Sequence, residues 1–458
     1  MLSSTVFIGR QREGVRVQKI KAVPLGLASV LGAGMLAITA PTALAAPCAS
    51  ISTSDANGTS AHVEGAPLGR MPETAHGPVG LEPPHALFSP RAASPAKFVE
   101  WLTGPNSNNQ TPTRFGMSGT DLGIIWDNGK TDDEQQVLIA YGDTFGDCSL
   151  PGNEWRFNAL MRSADTDLSD GMAVPDPLTE EDDDYLFGGS PVTIDRPDFS
   201  KQIIDKLGLA PTEFTVIPTA GIAVGTTQYI NFMSVKEWGP PGQWTTNFSA
   251  IAVSDDNGEN WDVDFDTIRA DETGNLDDYD YVAGNNNFQM AAYVKRDGYV
   301  YTFGTPSGRQ GAARVARVNE TDILDLAEYE YWNGSGWTQG DPSAAVNVIP
   351  ARVSEMSVQW NEFLGKYIAL YTNSLGSVVL RLADQPQGPW SDAEPIMTAT
   401  AFPGGLYAPY IHPWSEGSDL YFTVSRWSHY NVMLMRTTLD HTPPTPGVGS
   451  GSMGGGGS

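Results

Sequence analysis

"SDDNGENW", Ser254 to Trp261, is the stretch whose reading decides the fold. It carries the spacing Ser-x-Asp-x-Gly-x-x-Trp, the pattern of an Asp-box hairpin. The residue types explain the turn. Asp256 can accept backbone N–H bonds across it, Gly258 permits a positive φ, and Trp261 folds back over the tip. The run before it, "FSAIAVSDD", alternates apolar and polar residues, so the motif closes a β-hairpin of a kind that recurs in β-propellers.

Outward from this hairpin the same texture continues. "QVLIAYGDTF", "AVGTTQYINFMSV", "FQMAAYVKRDGYVYTFGT", "GKYIALYTNS", "SVVLRLAD" and "GSDLYFTVSRW" read as short strands punctuated by Gly, Asn, Asp and Pro. "QPQGPWSDAEPI" gives a weaker echo of the hairpin tip, with "GPW" ending an outer strand. Only "FSKQIIDKLG" and "NETDILDLAEYEYW" predict short helices. Many short strands at regular spacing make an all-β fold. About five units of about 65 residues fit the chain, which predicts a five-bladed β-propeller with an Asp-box-like hairpin. A sandwich of two face-to-face sheets is the rival.

The ends read differently. Arg10, Arg12, Arg16, Lys19 and Lys21 precede an apolar run, Val23 to Ala40, and then "PTALAAP". This is the layout of an export signal over residues 1–45, with a signal anchor as the alternative. Residues 46–97, rich in Pro, Ala, Ser and Gly, read as a flexible lead-in, and 441–458 as a Pro/Gly/Ser-rich tail or linker. The domain is expected over 98–440. The 458 residues carry a net charge of −27, and the basic leader leaves the remainder more acidic still. Such a charge argues against nucleic acid and anionic membrane surfaces as partners and is compatible with a neutral glycan. A secreted or wall-associated monomer, without a membrane segment after cleavage, is the expectation. The two cysteines, Cys48 and Cys148, either pair across the lead-in or remain free thiols. The scattered histidines form no metal signature, and no cofactor motif is evident. The acidic run "TEEDDDY", Thr179 to Tyr185, offers oxygen ligands for a structural calcium but lacks calcium-loop spacing.

Candidate chemistry begins with "SGTDLGIIW" and "YGDTFGDC". Each sets an Asp beside small residues at a strand edge: Asp121 and Asp143. Both suit turns, and both suit a glycosidase, which needs one carboxyl to protonate the leaving oxygen and another to activate water or attack carbon. They are expected at the tops of neighbouring inner strands, facing one cleft, with inversion as the stereochemical outcome. Glu355, in "ARVSEMSVQW", is a third acid, able to modulate a partner's pKa or simply to pair with Arg352 at the surface. Asn286, Gln289 and Arg309 come from a strand pair and its loops, and Tyr407, His412 and Arg426 from the last stretch. Together with Arg352 they are candidate sugar contacts.

At "SGTDLGIIWDNGKTDDEQQVLIAYGDTFGD" the chain resembles the uncharacterised domain family 4185 of actinobacteria. "GIAVGTTQYINFMSV" and "SEMSVQWNEFLGKYIALYTN" support the likeness. That family is similar to endo-acting D-arabinanases, five-bladed propellers acting on mycobacterial and corynebacterial cell-wall arabinan. The resemblance implies D-arabinan as substrate and partner, and Asp121 and Asp143 as the catalytic pair. A propeller that binds wall glycan without hydrolysis is the alternative. The export reading has its own test. N-terminal sequencing of secreted protein should find a start near Ala46 or Pro47, and retention of the apolar run would contradict cleavage.

Overall fold

The computed structural model describes residues 92–440, apart from 275 and 416. The expected signal segment, most of the lead-in including Cys48, and the tail lie outside the described residues. The first strand, β1 (Lys97–Trp101), is followed by a single-turn helix, α1 (Thr111–Arg114), and then five sheets. The first holds β2 (Leu122–Asp127), β3 (Val137–Tyr141) and β4 (Ala159–Ser163). The second holds β5 (Thr215–Val224), β6 (Thr227–Trp238), β7 (Trp244–Ser254) and β8 (Asp262–Ala270). The third runs from β9 (Met290–Arg296) through β10 (Tyr299–Thr305) and β11 (Arg314–Asn319) to β12 (Glu330–Trp332) and β13 (Trp337–Gln339). The fourth is β14 (Met356–Asn361), β15 (Lys366–Thr372), β16 (Val378–Ala383) and β17 (Glu394–Met397). The fifth is β18 (Leu406–Ile411), β19 (Asp419–Arg426) and β20 (Asn431–Thr438), with β1 added at its outer edge.

Every sheet is an antiparallel meander, as short connections between successive strands require. The first strands form a ring: β2 packs on β5, β5 on β9, β9 on β14, β14 on β18, and β18 on β2. The protein is therefore a five-bladed β-propeller. The ring is closed by β1, which pairs antiparallel with β20, Lys97 opposite Arg436 and Trp101 opposite Met433. Closure begins even earlier, since Ala93 bridges Leu439 and the Ala92 N–H reaches Glu394, so the propeller starts a few residues before Phe98.

Apolar layers fill the spaces between blades. Ile222, Ile251, Val300 and Tyr331 lie between the second and third. Val294, Phe303, Val358 and Tyr371 lie between the third and fourth. Ile368, Leu380, Phe422 and Met435 lie between the fourth and fifth. The first blade has only three strands. The irregular excursion 164–214 covers its edge, with Leu168, Met172, Ile203 and Ile204 buried. Here the expected helix at 199–208 does not form. The Asn158 Oδ1 accepts from the N–H groups of both Ile203 and Ile204, which replaces a helical ladder. The other expected helix reduces to one 3-10 turn, Glu320–Asp322, because Glu330–Trp332 is drawn into the sheet as β12.

The Asp-box hairpin joins β7 to β8 as its sequence requires. Asp256 accepts from Ser254 Oγ at 2.7 Å, from the Asn260 N–H at 2.9 Å and from Asn260 Nδ2 at 2.8 Å. Gly258 has φ 80°, and Trp261 Nε1 donates to its carbonyl at 3.0 Å. Losing these bonds to a charged acceptor should cost about 2 kcal/mol. Asp256→Ala should therefore lower the urea midpoint without changing m, and an unchanged midpoint would make the motif ornamental.

Candidate active site

The inner strands β2, β5, β9 and β14 begin, and β18 begins, at the same mouth of the central channel. Asp121 immediately precedes β2, Thr215 opens β5, Glu355 precedes β14, and Tyr407 lies at the start of β18. Their contacts confirm the convergence: Tyr407 reaches Asp121, and Thr215 reaches Asp143.

Beyond β2 and β3 the hairpin continues as an irregular ladder. Gly119 bridges Phe145, and the hydroxyls of Thr120 and Thr144 meet at 2.7 Å. The register that pairs Ile124 with Ala140 is the one that pairs Gly119 with Phe145. In it, Asp121 faces Asp143, both on the side of the hairpin away from the two threonines. Between these points the ladder is offset at Leu122, which has φ 72° and donates its N–H to Ser425 Oγ. A positive φ on a Leu is unusual and is held here by the neighbouring blade. Gly142 is needed for approach rather than for its φ. A Cβ there would lie 2.5 Å from Asp121 Oδ1, so any larger residue displaces the acid. This corrects one expectation: Asp143 follows β3, so the pair shares one blade instead of occupying neighbouring inner strands.

The two acids have different surroundings. Asp143 is buried, and its Oδ1 accepts from Thr215 Oγ1 at 2.7 Å and Trp155 Nε1 at 2.8 Å. Burial pushes its pKa up to about 6, against those two hydrogen bonds and the charge of Lys206. Asp121 accepts from the Tyr407 hydroxyl at Oδ2, at 3.0 Å, and the Tyr430 hydroxyl also hydrogen-bonds its carboxyl. Burial and the facing Asp143 push its pKa up to about 8; Glu355 adds to the rise, while Tyr407 and Arg309 oppose it. Both acids are pushed upward, and the stronger rise falls on Asp121, the member without the Trp155 and Thr215 donors, so Asp121 is the member that holds its proton to higher pH.

Glu355 is buried and grips Arg309 with both oxygens, at 2.9 Å from Nε and 2.7 Å from Nη2. Its partner is Arg309, not Arg352, which is exposed. The Arg309 guanidinium also lies over the Tyr407 ring, 4.8 Å from its centroid, and 5.5 Å from that of Trp244.

Other expected contacts are placed elsewhere. Gln289 is fully buried and structural: its amide bonds Thr246 Oγ1 and the carbonyls of Arg269 and Asn285. His412 follows β18 at the opposite end of the channel, where Gln359 contacts its carbonyl and Trp414 reaches Asp127 at the end of β2. Burial holds the His412 imidazole at about 3, so it stays neutral. Asn286 and Arg426 lie at the near mouth, Asn286 accepting from Tyr281 and Arg426 donating to the Pro403 carbonyl. The sequence reading missed Trp155, Thr215, Trp244 and Tyr430. Only the aromatic residues carried a signal, and it was shared with the many that pack between blades. Cys148 is not a free thiol, and the Cys48 end of the expected pairing lies outside the described residues. In the acidic run, Asp182 caps the Thr179 N–H, and among the described residues no group of three or more potential ligands is placed to hold a metal. No described helix is long and apolar enough to cross a membrane.

Fold and site together define a five-bladed propeller with a facing pair of unequal carboxyls at one mouth of its channel. The chain belongs to the family described as "Domain of unknown function (DUF4185)", whose model matches residues 106–436. It is similar to the notoamide biosynthesis cluster protein J of Aspergillus sp. (strain MF297-2), 29% identical over 72% of this chain and 85% of that protein. Protein J' of Aspergillus versicolor is 27% identical over 79% of this chain and 92% of that protein. Among solved structures, it is similar to a putative hydrolase from Bacteroides ovatus, with TM-score 0.44 and 15% identity over 71% of this chain and 86% of that one. It is also similar to the catalytic domain of the Coprinopsis cinerea GH62 α-L-arabinofuranosidase, with TM-score 0.41 and 11% identity over 77% and 99% of the two chains.

The raised pKa of Asp121 has a stability consequence. An unfolded Asp loses its proton near pH 3.9, whereas folded Asp121 keeps it to about 8. Between those values the folded state binds more protons, so stability falls as pH rises. Asp121→Asn should remove this loss. Its melting temperature should exceed the wild type's at about pH 8, with a flatter decline from about pH 4 upward. A lower melting temperature at alkaline pH would contradict the buried-acid assignment.

Proposed function

We propose that this protein is a secreted or wall-associated glycoside hydrolase that cuts internal bonds of cell-wall D-arabinan. The observation that carries the hydrolase reading is the pair of carboxyls at the channel mouth, held by different donors and both pushed upward, Asp121 further than Asp143. That inequality is what general acid catalysis at a glycosidic oxygen requires. Asp121 gives its proton to the leaving oxygen as the bond to the anomeric carbon breaks. Asp143, held by Trp155 and Thr215, supplies the negative charge that the cationic sugar needs. Glu355 and Arg309 pair with each other, so the cation left facing Asp143 is Lys206. The choice of D-arabinan rests on the family resemblance of the "GTD" and "GDTFGD" motifs.

Inversion, with carboxyls about 6.5–9.5 Å apart and a water between them, stays the proposed outcome, and direct attack by Asp143, with carboxyls about 5–5.5 Å apart, is the alternative. Proton NMR of the first anomer released decides between them.

Purified D-arabinan should yield new reducing ends over time, with a bell-shaped rate profile whose limbs fall near about 6 and about 8. Asp121→Asn and Asp143→Asn should each lower kcat by about 10²–10⁴-fold while retaining the polymer on an affinity column. Retention by the wild type with no new ends would replace the enzyme with a binding propeller. Near-normal kcat in both variants would reject this pair.

A further inference from the structure

Tyr407 was expected to be a sugar platform, but its ring and hydroxyl are both committed. It is buried, its hydroxyl donates to Asp121 Oδ2 at 3.0 Å, and the Arg309 guanidinium covers its ring at 4.8 Å. Arg309 cannot leave that position freely, because Glu355 grips it through two nitrogens and Trp244 lies on it as well. Glu355, Arg309, Tyr407 and Asp121 therefore form a continuous chain across the mouth, drawn from the fourth, third, fifth and first blades.

We infer that Tyr407, seated by the Arg309–Glu355 pair, is a positioning unit that fixes the acidic proton on Asp121 Oδ1 and stabilises the carboxylate left behind. This rests on the glycosidase reading. The hydrogen-bond geometry supplies the reason. A neutral carboxyl accepts best through its carbonyl oxygen, and the Tyr407 donor claims Oδ2 for that role. On this reading the proton is assigned to Oδ1, the oxygen that lies over Gly142. When the proton passes to the glycosidic oxygen and the electron pair of the broken C–O bond stays there, Asp121 becomes an anion. The Tyr407 bond then becomes charge-assisted, and Arg309 is the nearest compensating cation. Ala408, immediately after Tyr407, has φ 52°, and the β18–β19 ladder is offset between Tyr407 and Tyr410. The strand departs from regular pairing where the hydroxyl must reach inward.

The charged and titratable groups facing Asp121 are Asp143, Glu355, Arg309, Tyr407, Tyr410 and Tyr430. Removing a donor to the anion and removing a neighbouring anion act on Asp121 with opposite signs. Tyr407→Phe should move the alkaline limb of kcat to higher pH and lower kcat about 10-fold, with KM unchanged. Glu355→Gln should move that limb to lower pH, since it deletes a negative charge and leaves Arg309 uncompensated. Arg309→Lys, which keeps the charge, should retain more of the wild-type profile than Arg309→Met. General loosening of the site cannot produce two opposite shifts. The same titration is read without substrate from carbon-13 signals of labelled Asp carboxyls, with Asp121 assigned by its absence in Asp121→Asn. Opposite shifts by NMR without hydrolysis would uphold the positioning unit and sink the glycosidase reading. Hydrolysis with the limb unmoved in both variants would sink the positioning unit alone. Should one variant fail to fold, the sign of the other decides.

Discussion

The pairing of β1 with β20 is the contact on which the rest of the molecule depends. A propeller blade buries its two faces only against neighbours, so an unclosed ring would leave two apolar faces in water. Lys97–Trp101 supplies the outer strand of the blade whose other strands come from the C-terminal end of the domain. Closure then brings the fifth blade onto the first: Thr423 Oγ1 donates to the Gly123 carbonyl, and Ser425 Oγ receives the Leu122 N–H. Asp121 and Tyr407 are 286 residues apart and touch only across this seam. The stability of the ring and the geometry of the candidate acid are one constraint.

At the axis, however, local structure works against stability. Like charges opposite each other in an antiparallel pair are unfavourable, and burial penalises their ionised forms further. The backbone deviates in the same place, with Leu122 and Ala408 at positive φ. Arrangements of this kind persist when surrounding packing over-determines them, and they collect at functional sites. Here the surroundings are the Thr120–Thr144 hydroxyl pair, the Trp155 and Thr215 donors, and the apolar layers between blades. A chain selected only for stability would place Asn at 121, which fills the same space without a charge. The Asp is intelligible as a group kept for its proton.

Much of this was legible in sequence because its signals are local. The Asp-box spacing, period-two strands and the pairing of two Asp motifs on successive strands each lie within about one hairpin's length of chain. What sequence did not carry is convergence around the axis. Glu355 has an arginine three residues away, yet its partner is Arg309 in another blade. Gln289 and His412 border inner strands just as Glu355 and Tyr407 do. One of them turned into the packing between blades, and the other lies at the far end of its strand, where it cannot meet the acids. Strand alternation gives the face of a side chain but not the end of the channel it occupies. The two lost helices fail for a related reason. Their apolar residues at helical spacing serve the edge of a three-stranded blade and an outer strand of the third sheet, where tertiary hydrogen bonds outweigh weak propensity.

The same convergence bears on what kind of molecule the mouth can accept. Arg309 is the cation acting on Asp121, half-buried, and a bidentate carboxylate and two ring faces already occupy it. Lys206, the cation acting on Asp143, is exposed and has its ammonium over the Phe157 ring. An anionic group brought beside ionised Asp143 would meet repulsion in a setting where charges are weakly screened. Extracting Arg309 to greet it would leave Glu355 buried without a partner, a loss larger than a surface contact restores. A neutral, hydroxyl-rich substrate faces neither cost. It leaves the Glu355–Arg309 pair intact, and under the proposed hydrolysis it would acquire positive character only as its bond breaks, beside Asp143. Under the proposed glycosidase reading, preference for a neutral polymer and stabilisation of a cationic transition state would follow from one arrangement of charge.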